Sequence, residues 1–501
     1  MSDGRDPFAL IASMIAAASA PASPAEEAPK ATPPEDDKPA GPRAFGYSVD
    51  TMNETYALVL MGAQAVIYVE RPDAPLEDQQ RFLKIEAFNV WHANKWTEVI
   101  DKDGGLKAVT WSKAWLTDRG RRQYSGIEFF PDPNNAPGTP GYLNLWSGFA
   151  FTPRPKRNGY AIFRDHLLNN VCAGEERLYR WVFAFFADIV QRPRSKPGVA
   201  LVLRGKMGTG KTKIGEVVGE LFPRHYFLVD DPRYVTGNFN AHMSSCLLLQ
   251  ADEAVWAGDK AAEGRLKGLI TSPIQQIEAK GIDPIRIKNR VRIMMTSNED
   301  WVVPAGKDER RFCVLDVDDR CAQNSDYFRE MDEQLAAGGY EALLHDLLAF
   351  DLSTVNLRQI PRTDALLQQK LRSLDSVERW LYEALERGTT TRLGNEWMRS
   401  VATTTLVDDY LDHAERVGIK RKAEETLFAQ KIRKIIPGIT RKRDWATLKD
   451  QVRRRVWVWQ MPSLAECREA FEAAMQQPVP WPAAPDDDDV AAPDEAEALD
   501  A

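Results

Sequence analysis

One stretch limits the possible folds more than any other. From Val199 to Thr212 (Val-Ala-Leu-Val-Leu-Arg-Gly-Lys-Met-Gly-Thr-Gly-Lys-Thr) an apolar run feeds directly into a glycine-rich loop that ends in a lysine and a threonine. Val199 to Leu203 has the unbroken apolar character of a buried parallel strand, and Ile214, Val217, Val218 and Leu221 recur at helical spacing. Residues 205–212 are therefore expected to form a strand-to-helix turn. Gly205, Gly208 and Gly210 can take positive φ and leave no Cβ to obstruct a phosphate. Lys206, Met207 and Thr209 complete a turn whose backbone N–H groups face the ligand. The new helix adds its positive end. Lys211 would reach the β- and γ-phosphates of a nucleotide, and the Thr212 hydroxyl would ligate Mg²⁺.

Binding needs only that loop, whereas hydrolysis of ATP needs a metal carboxylate and a group that orients water. Cys246 to Glu253 supplies both at the end of a second apolar strand, Asp252 for the Mg²⁺ shell and Glu253 to polarise the attacking water. A third strand, from Val291, ends in Asn298, whose amide can bond the γ-phosphate or the water. Asp308-Glu-Arg-Arg-Phe312 then places Arg310 and Arg311 before a final strand, and an arginine offered to a neighbouring subunit's phosphates implies a ring. Between them, Ile274 to Ile287 reads as a hairpin with Lys280 at its tip, a lysine that copies around a channel would present to single-stranded nucleic acid.

Composition narrows the rest. At 501 residues the chain exceeds one compact core, so two or three domains are expected. A net charge of −8 announces no nucleic-acid partner globally, so the distribution of charge must decide. Five scattered cysteines without CxxC or zinc-ligand spacing fit reduced thiols in a cytosolic protein. No run approaches the roughly 18 apolar residues of a membrane span. Phe8 to Ala20 is Ala-rich, but Asp3 and Asp6 deny it the basic start of a signal peptide.

Texture divides the chain into a disordered leader (1–44), a small α+β domain (45–160), a helical connector (161–196), the ATPase core (197–320) and a helical lid or connector (321–392). A basic region (393–476) and a disordered acidic tail (477–501) follow. Asp101-Lys-Asp103 reads as a solvated turn. Helices are expected over Ile162 to Gln191, in two pieces, and over Tyr327 to Phe350 and Asp364 to Glu386. From Lys420 to Arg455 thirteen lysines and arginines face four acids, and two helices followed by a ribbon there read as a winged helix with a basic face.

The ordered set of Gly205 to Thr212, Asp252-Glu253, Lys280, Asn298 and Arg310-Arg311 resembles the superfamily 3 helicases, in the phage and plasmid primase-helicase branch related to poxvirus-type ATPases. Asn53-Glu-Thr-Tyr-Ala, Arg122-Gln-Tyr-Ser-Gly-Ile-Glu-Phe-Phe-Pro and Asn144-Leu-Trp-Ser-Gly-Phe resemble text that precedes the motor in that branch. The resemblance implies a P-loop AAA+-like parallel sheet, hexamers, ATP and Mg²⁺ as cofactors, and 3′-to-5′ movement on single-stranded or forked DNA. Many relatives also carry a primase-polymerase domain, but no carboxylate constellation for one stands out here, so a separate primase or polymerase partner is expected. The expectation is thus a phage or mobile-element DNA helicase. Its competitors are a loader or packaging motor on the same core, and a replication initiator for which nucleotide is only a structural ligand.

Overall fold

We describe the protein from a computed structural model over residues 46–100, 104–237, 240–254, 260–279, 282–447 and 452–482. The predicted leader, the 101–103 turn, the Lys280 hairpin tip and the acidic tail beyond 482 lie outside the described residues. The described residues form two compact units. One comprises those of 46–147, 240–245 and 274–288; the other comprises the remaining described residues.

In the first unit a four-stranded sheet runs in the order Gln80–Leu83, Gln64–Glu70, Tyr56–Met61, Gln123–Tyr124. Helices Val49–Thr55, Ile85–Trp91 and Trp111–Thr117 contribute Met52, Phe88 and Trp115 to a core with Tyr56, Ile67 and Val69. Asn53 joins distant parts of this unit. Its Oδ1 accepts from Trp115 Nε1 at 2.9 Å and from the Arg122 amide at 2.7 Å, and its Nδ2 donates to the Gly120 carbonyl at 2.9 Å.

The hairpin arms Ile274–Ala279 and Ile282–Lys288 pair antiparallel. The sequence reading sets them inside 197–320, yet they group with the first unit. The segment 240–245 holds them: Asn240 Nδ2 donates to the Gln276 carbonyl at 2.7 Å and Gln275 Nε2 to the Met243 carbonyl at 3.0 Å.

The second unit is built on five parallel strands, β1 (Ala200–Arg204), β2 (Tyr226–Val229), β3 (Leu248–Asp252), β4 (Arg292–Ser297) and β5 (Phe312–Asp316), in the order β2-β3-β4-β1-β5. β4 is buried along its whole length and β1 up to its last residue, as parallel strands covered on both faces require. Helix α1 (Glu176–Gln191) buries eleven of its residues, among them Trp181, Phe185 and Phe186. At its end the Arg292 guanidinium, 1% exposed, donates to Asp188 Oδ2 at 3.1 Å and to the carbonyls of Arg192 at 2.7 Å and Pro193 at 3.1 Å. One side chain of β4 thereby fixes the segment that leads into β1.

Three helical expectations change in detail. Ahead of α1 the chain is helical over Ala161–Asp165 and widens to a π-turn at His166–Val171. The run Tyr327 to Phe350 breaks at Gly338, φ 97°, a left-handed conformation glycine adopts freely. The run Asp364 to Glu386 splits into helices Asp364–Arg372 and Ser376–Arg387, because Asp375 starts a new helix with a reciprocal cap to Glu378.

Between these stretches lie α2 (Lys211–Gly219) and α3 (Lys260–Thr271), and beyond β5 come α4 (Asp364–Arg372) and α5 (Ser376–Arg387). A short strand β6 (Ser400–Ala402), helices α6 (Thr403–Arg416) and α7 (Glu425–Ile435), a ribbon of β7 (Thr440–Thr447) and β8 (Arg453–Gln460), and α8 (Leu464–Met475) follow. The small sheet runs β6-β8-β7, and Trp380, Tyr410, Phe428, Trp459 and Phe471 fill the core beneath it. Among the described residues, no helix is long and apolar enough to cross a membrane.

His92 in the first unit gives a test of packing. It is 1% exposed, edge-on to Tyr56 and Phe88, and neither ring nitrogen has a partner. Burial, aided by Lys95 and Arg71, pulls its imidazole down to about 4. Between that value and the ordinary ~6.5 the unfolded chain binds a proton that the folded chain does not, so stability must fall as pH drops through this window. Thermal melts of wild type and His92→Phe from pH 7 to pH 5 should show the variant losing less of its stability on acidification.

Candidate functional site

The carboxyl ends of β1, β3 and β4 meet at one edge, where backbone register aligns their last residues. Leu203 pairs with Thr296, Arg204 with Ser297, and Asp252 with Thr296. Between β1 and α2 the glycine-rich loop closes under a cavity of about 570 Å³, a size typical of small-molecule sites. Met207 to Lys213, Asp252, Glu253, Asn298, Gln323, Ser325 and Phe328 line it.

Steric limits explain the glycines. Gly210 caps α2 at φ 84°, and a Cβ there would lie 2.6 Å from the Phe328 ring and 2.8 Å from His166 Nε2. At Gly205 a Cβ would meet the Val317 carbonyl oxygen at 2.8 Å. The loop is also tied down from the β5 side. Arg204 makes a bidentate pair with Asp316 at 2.6 and 2.7 Å, and the Gln323 amide donates to the Gly208 carbonyl at 3.1 Å.

Lys211, 5% exposed, is the hub. Its Nζ donates to the carbonyls of Gly205 at 2.8 Å and Lys206 at 2.7 Å, and to Asn298 Oδ1 at 2.8 Å. Burial lowers its ammonium below the ordinary lysine range, while Glu253 and Asp252 pull the other way. The Thr212 hydroxyl donates to Asp252 Oδ2 at 3.1 Å, and Thr296 donates to the other Asp252 oxygen. Glu253 sits at φ 54°, uncommon for a residue with a side chain, and accepts from the Asn298 amide at 2.8 Å and Ser297 Oγ at 3.1 Å. The side chains of Lys211, Thr212, Asp252, Glu253 and Asn298 thus converge.

The remaining sequence candidates are placed differently. Gly205 and Lys206 offer their carbonyls to Lys211 rather than lining the cavity, and the Lys206 ammonium pairs with Asp319 at 2.6 Å. Thr209 is buried, and its hydroxyl donates to the Lys206 carbonyl at 3.0 Å within the loop. Met207 is 75% exposed at the rim. Arg310 and Arg311 do not line the cavity. Arg311 leans on Glu309 at 3.5 Å, whereas Arg310 is exposed. Lys280 lies outside the described residues.

Sequence reading missed Gln323, Ser325, Phe328 and, behind the loop, His166. His166 is fully buried, bonds Asn170 through Nδ1 at 2.9 Å, and is pulled down to about 4 by burial. The only signal these residues carry is position after β5 and before α1, which has no chemical signature of its own.

The fold and site define a parallel α/β unit with a glycine-rich loop facing an acidic pair and an amide. A family model described as "Family of unknown function (DUF5906)" matches residues 203–311, the stretch that runs from the end of β1 through the glycine-rich loop and the acids to both arginines. The DNA Primase-polymerase of Nitratiruptor phage NrS-1 is 22% identical over 283 residues, 54% of this chain and 38% of that protein. The chain therefore spans well under half the length of that relative. Three apo structures of the NrS-1 C-terminal region share the fold at 14% identity. They cover 81–82% of this chain and 98% of theirs, with TM-scores of 0.56, 0.56 and 0.54.

The contact between α2 and β3 yields a prediction. A Cβ at Gly215 would fall 1.7 Å from Gln250 Oε1, whose amide also receives Tyr226 OH at 2.7 Å and donates to the Thr212 carbonyl at 3.2 Å. Gly215→Ala should push α2 off the sheet and cost about 1–3 kcal/mol in chemical denaturation, whereas Gly264→Ala, inside α3 with open space around it, should stabilise by up to about 1 kcal/mol.

Proposed function

We propose that this chain is an ATP-hydrolysing motor of the superfamily 3 kind, with an AAA+-like core. On this reading it works as a ring on single-stranded or forked DNA during replication of a phage or related element in a bacterial cytoplasm. The observation that carries the reading is the convergence of Lys211, Thr212, Asp252, Glu253 and Asn298 on one cavity at the carboxyl edge of a parallel sheet. A loop for binding alone would not need the acids and the amide.

The donors present fit a nucleoside triphosphate with Mg²⁺. Loop N–H groups and the Lys211 ammonium match phosphate oxygens, and that ammonium is already surrounded by oxygen acceptors that phosphates can replace. Thr212 and Asp252 form a hydroxyl–carboxylate pair, and Mg²⁺ is ordinarily held by one or two such protein oxygens with phosphates and water. When bound, the ion would neutralise charge on the transferring phosphoryl group. Glu253, anchored by Ser297 and the Asn298 amide, would orient and deprotonate the attacking water. Asn298 would exchange its bond to Lys211 for one to the γ-phosphate or the water, and so register the nucleotide state.

Arg310 is the better candidate for the arginine given to a neighbouring subunit, because it is exposed while Arg311 is engaged by Glu309. A ring, hexameric in the branch the sequence resembles, follows from that role. Residues 393–476 would serve as a winged-helix DNA-binding region, and the Lys280 hairpin as the tracking element. The phage relative is called a primase-polymerase, and the solved structures similar to this chain are of its C-terminal region. That match supports a replication role here.

Steady-state ATPase and fork unwinding test this reading. Lys211→Ala should abolish both, and Glu253→Gln should bind ATP but hydrolyse it about 10²–10⁴-fold more slowly. Arg310→Ala should also be inactive, yet mixing it with Lys211→Ala should restore part of the ATPase, since mixed rings contain seams with an intact loop and an intact arginine. A chain that remains monomeric and fully active with ATP and DNA would exclude the ring. Hydrolysis without strand separation would leave a loader or initiator on the same core.

A further inference from the structure

The ribbon of β7 and β8 carries a composition that the nucleotide site does not use. Side chains alternate along a strand, so Arg441, Arg443 and Trp445 share one face of β7. The register places Trp459, Trp457 and Arg455 opposite them, and Arg453 opposite Thr447. At the base of the ribbon Trp459 is buried in the C-terminal core. Farther out the face opens to solvent, with Trp445 59% and Trp457 46% exposed. Large aromatics on a basic ribbon are costly to leave in water unless something covers them.

The charges there are uneven. Arg441 stacks on Trp457, ring centre 5.0 Å away, and is neutralised by Glu425 at 3.0 Å. Arg443 lies 5.8 Å from the same ring, and neither it nor Arg453 or Arg455 forms an ion pair among the described residues. Asp444 points to the opposite face, where Lys442 holds it at 2.9 Å. Among the described residues the exposed face therefore offers two indole rings flanked by three guanidinium groups that form no ion pair, Arg453 also acting through space on Asp444. Trp445 and Trp457 are diagonal neighbours across the ribbon, separated by roughly 7–8 Å at the backbone, and a base stacking on Trp457 would take the place of the Arg443 guanidinium and free it for a phosphate.

We infer that this face is a stacking platform for single-stranded DNA, with two successive bases on Trp445 and Trp457 and phosphates on Arg443, Arg453 and Arg455. The ligand class follows from complementarity: a polyanion with exposed aromatic faces matches both halves of the surface, whereas duplex DNA hides its base faces in the stack. This rests on and deepens the DNA-binding role proposed for residues 393–476, and it places the contact on the ribbon.

Fluorescence anisotropy of the full chain without nucleotide tests it, using a labelled oligothymidylate, an abasic strand of equal length and a matched duplex. The double variant Trp445→Ala/Trp457→Ala should weaken oligothymidylate binding at least about tenfold, with Trp445→Phe/Trp457→Phe recovering most of it. Abasic-strand and duplex binding should change little in either. Arg443→Gln/Arg455→Gln should weaken both single strands and flatten the log-log salt dependence by about 1.4. Basal ATPase should persist in all three variants, which shows that they fold. Unchanged oligothymidylate binding in the alanine variant, or an equal loss on duplex, would overturn the platform. A wild-type chain that binds none of the three ligands would overturn the DNA-binding reading itself.

Discussion

The parallel pairing of β1 with β4 is the constraint on which the rest of the second unit depends. It sets Arg204 beside Ser297, lets the Gly205 amide donate to the Ser297 carbonyl at 3.2 Å, and so starts the loop next to Asn298. Because β4 lies between β1 and β3, the same strand also aligns Thr296 with Asp252. Three chain segments far apart in sequence therefore end in one row. Arg292, at the other end of β4, keeps this alignment from slipping by binding the carbonyls that lead into β1. Removing that guanidinium would leave Asp188 and several carbonyls buried without partners, which is far more costly than losing an exposed ion pair.

One strained residue stands where the chemistry would be. Glu253 holds a positive φ at the exit of β3, a conformation that costs of order 1–3 kcal/mol for a residue with a side chain, and its amide is fixed by the Thr296 carbonyl at 3.0 Å. The turn directs its carboxylate back onto Ser297 and Asn298 rather than outward to solvent. Lys211 is preorganised in the same way. Its ammonium is kept nearly buried by three oxygen acceptors, so little side-chain freedom remains to be lost when another anion replaces them.

Much of this was legible in the sequence, for a physical reason. Buried parallel strands write themselves as uninterrupted apolar runs, and the residue following each run is necessarily at the sheet edge, so Lys211, Asp252, Glu253 and Asn298 are placed by counting. Gln323, Phe328 and His166 are not, because they reach the loop from segments whose local pattern signals only a turn or a helix. Continuous helical text over Asp364 to Glu386 concealed the Asp375–Glu378 cap, which competes with helix continuation through two reciprocal hydrogen bonds. Asn53 and Asn144, part of the wording behind the family resemblance, turn out to bond backbone groups of distant segments. Asn144 Oδ1 accepts from the amides of Phe130 and Trp146, both at 3.0 Å. Those side chains organise the first unit.

The segment after Asn298 links the site to the C-terminal part of the second unit. Gln369 of α4, fully buried, accepts from the amides of Val302 at 2.8 Å and Val303 at 3.2 Å and donates to the Asp300 carbonyl at 2.6 Å. On the same helix Leu367 and Leu371 belong to the C-terminal core, and Lys370 donates to the Met475 carbonyl at 2.8 Å at the end of α8. A buried amide with its bonds broken costs roughly 1–3 kcal/mol. Residues 298–303 therefore cannot shift alone. Any movement of Asn298 larger than a side-chain rotation must either carry α4 and the helices packed on it, or sacrifice the Gln369 bonds. The stiffness of that connection comes from polar groups satisfied inside a dry core, which have two discrete options, intact or broken, and few in between.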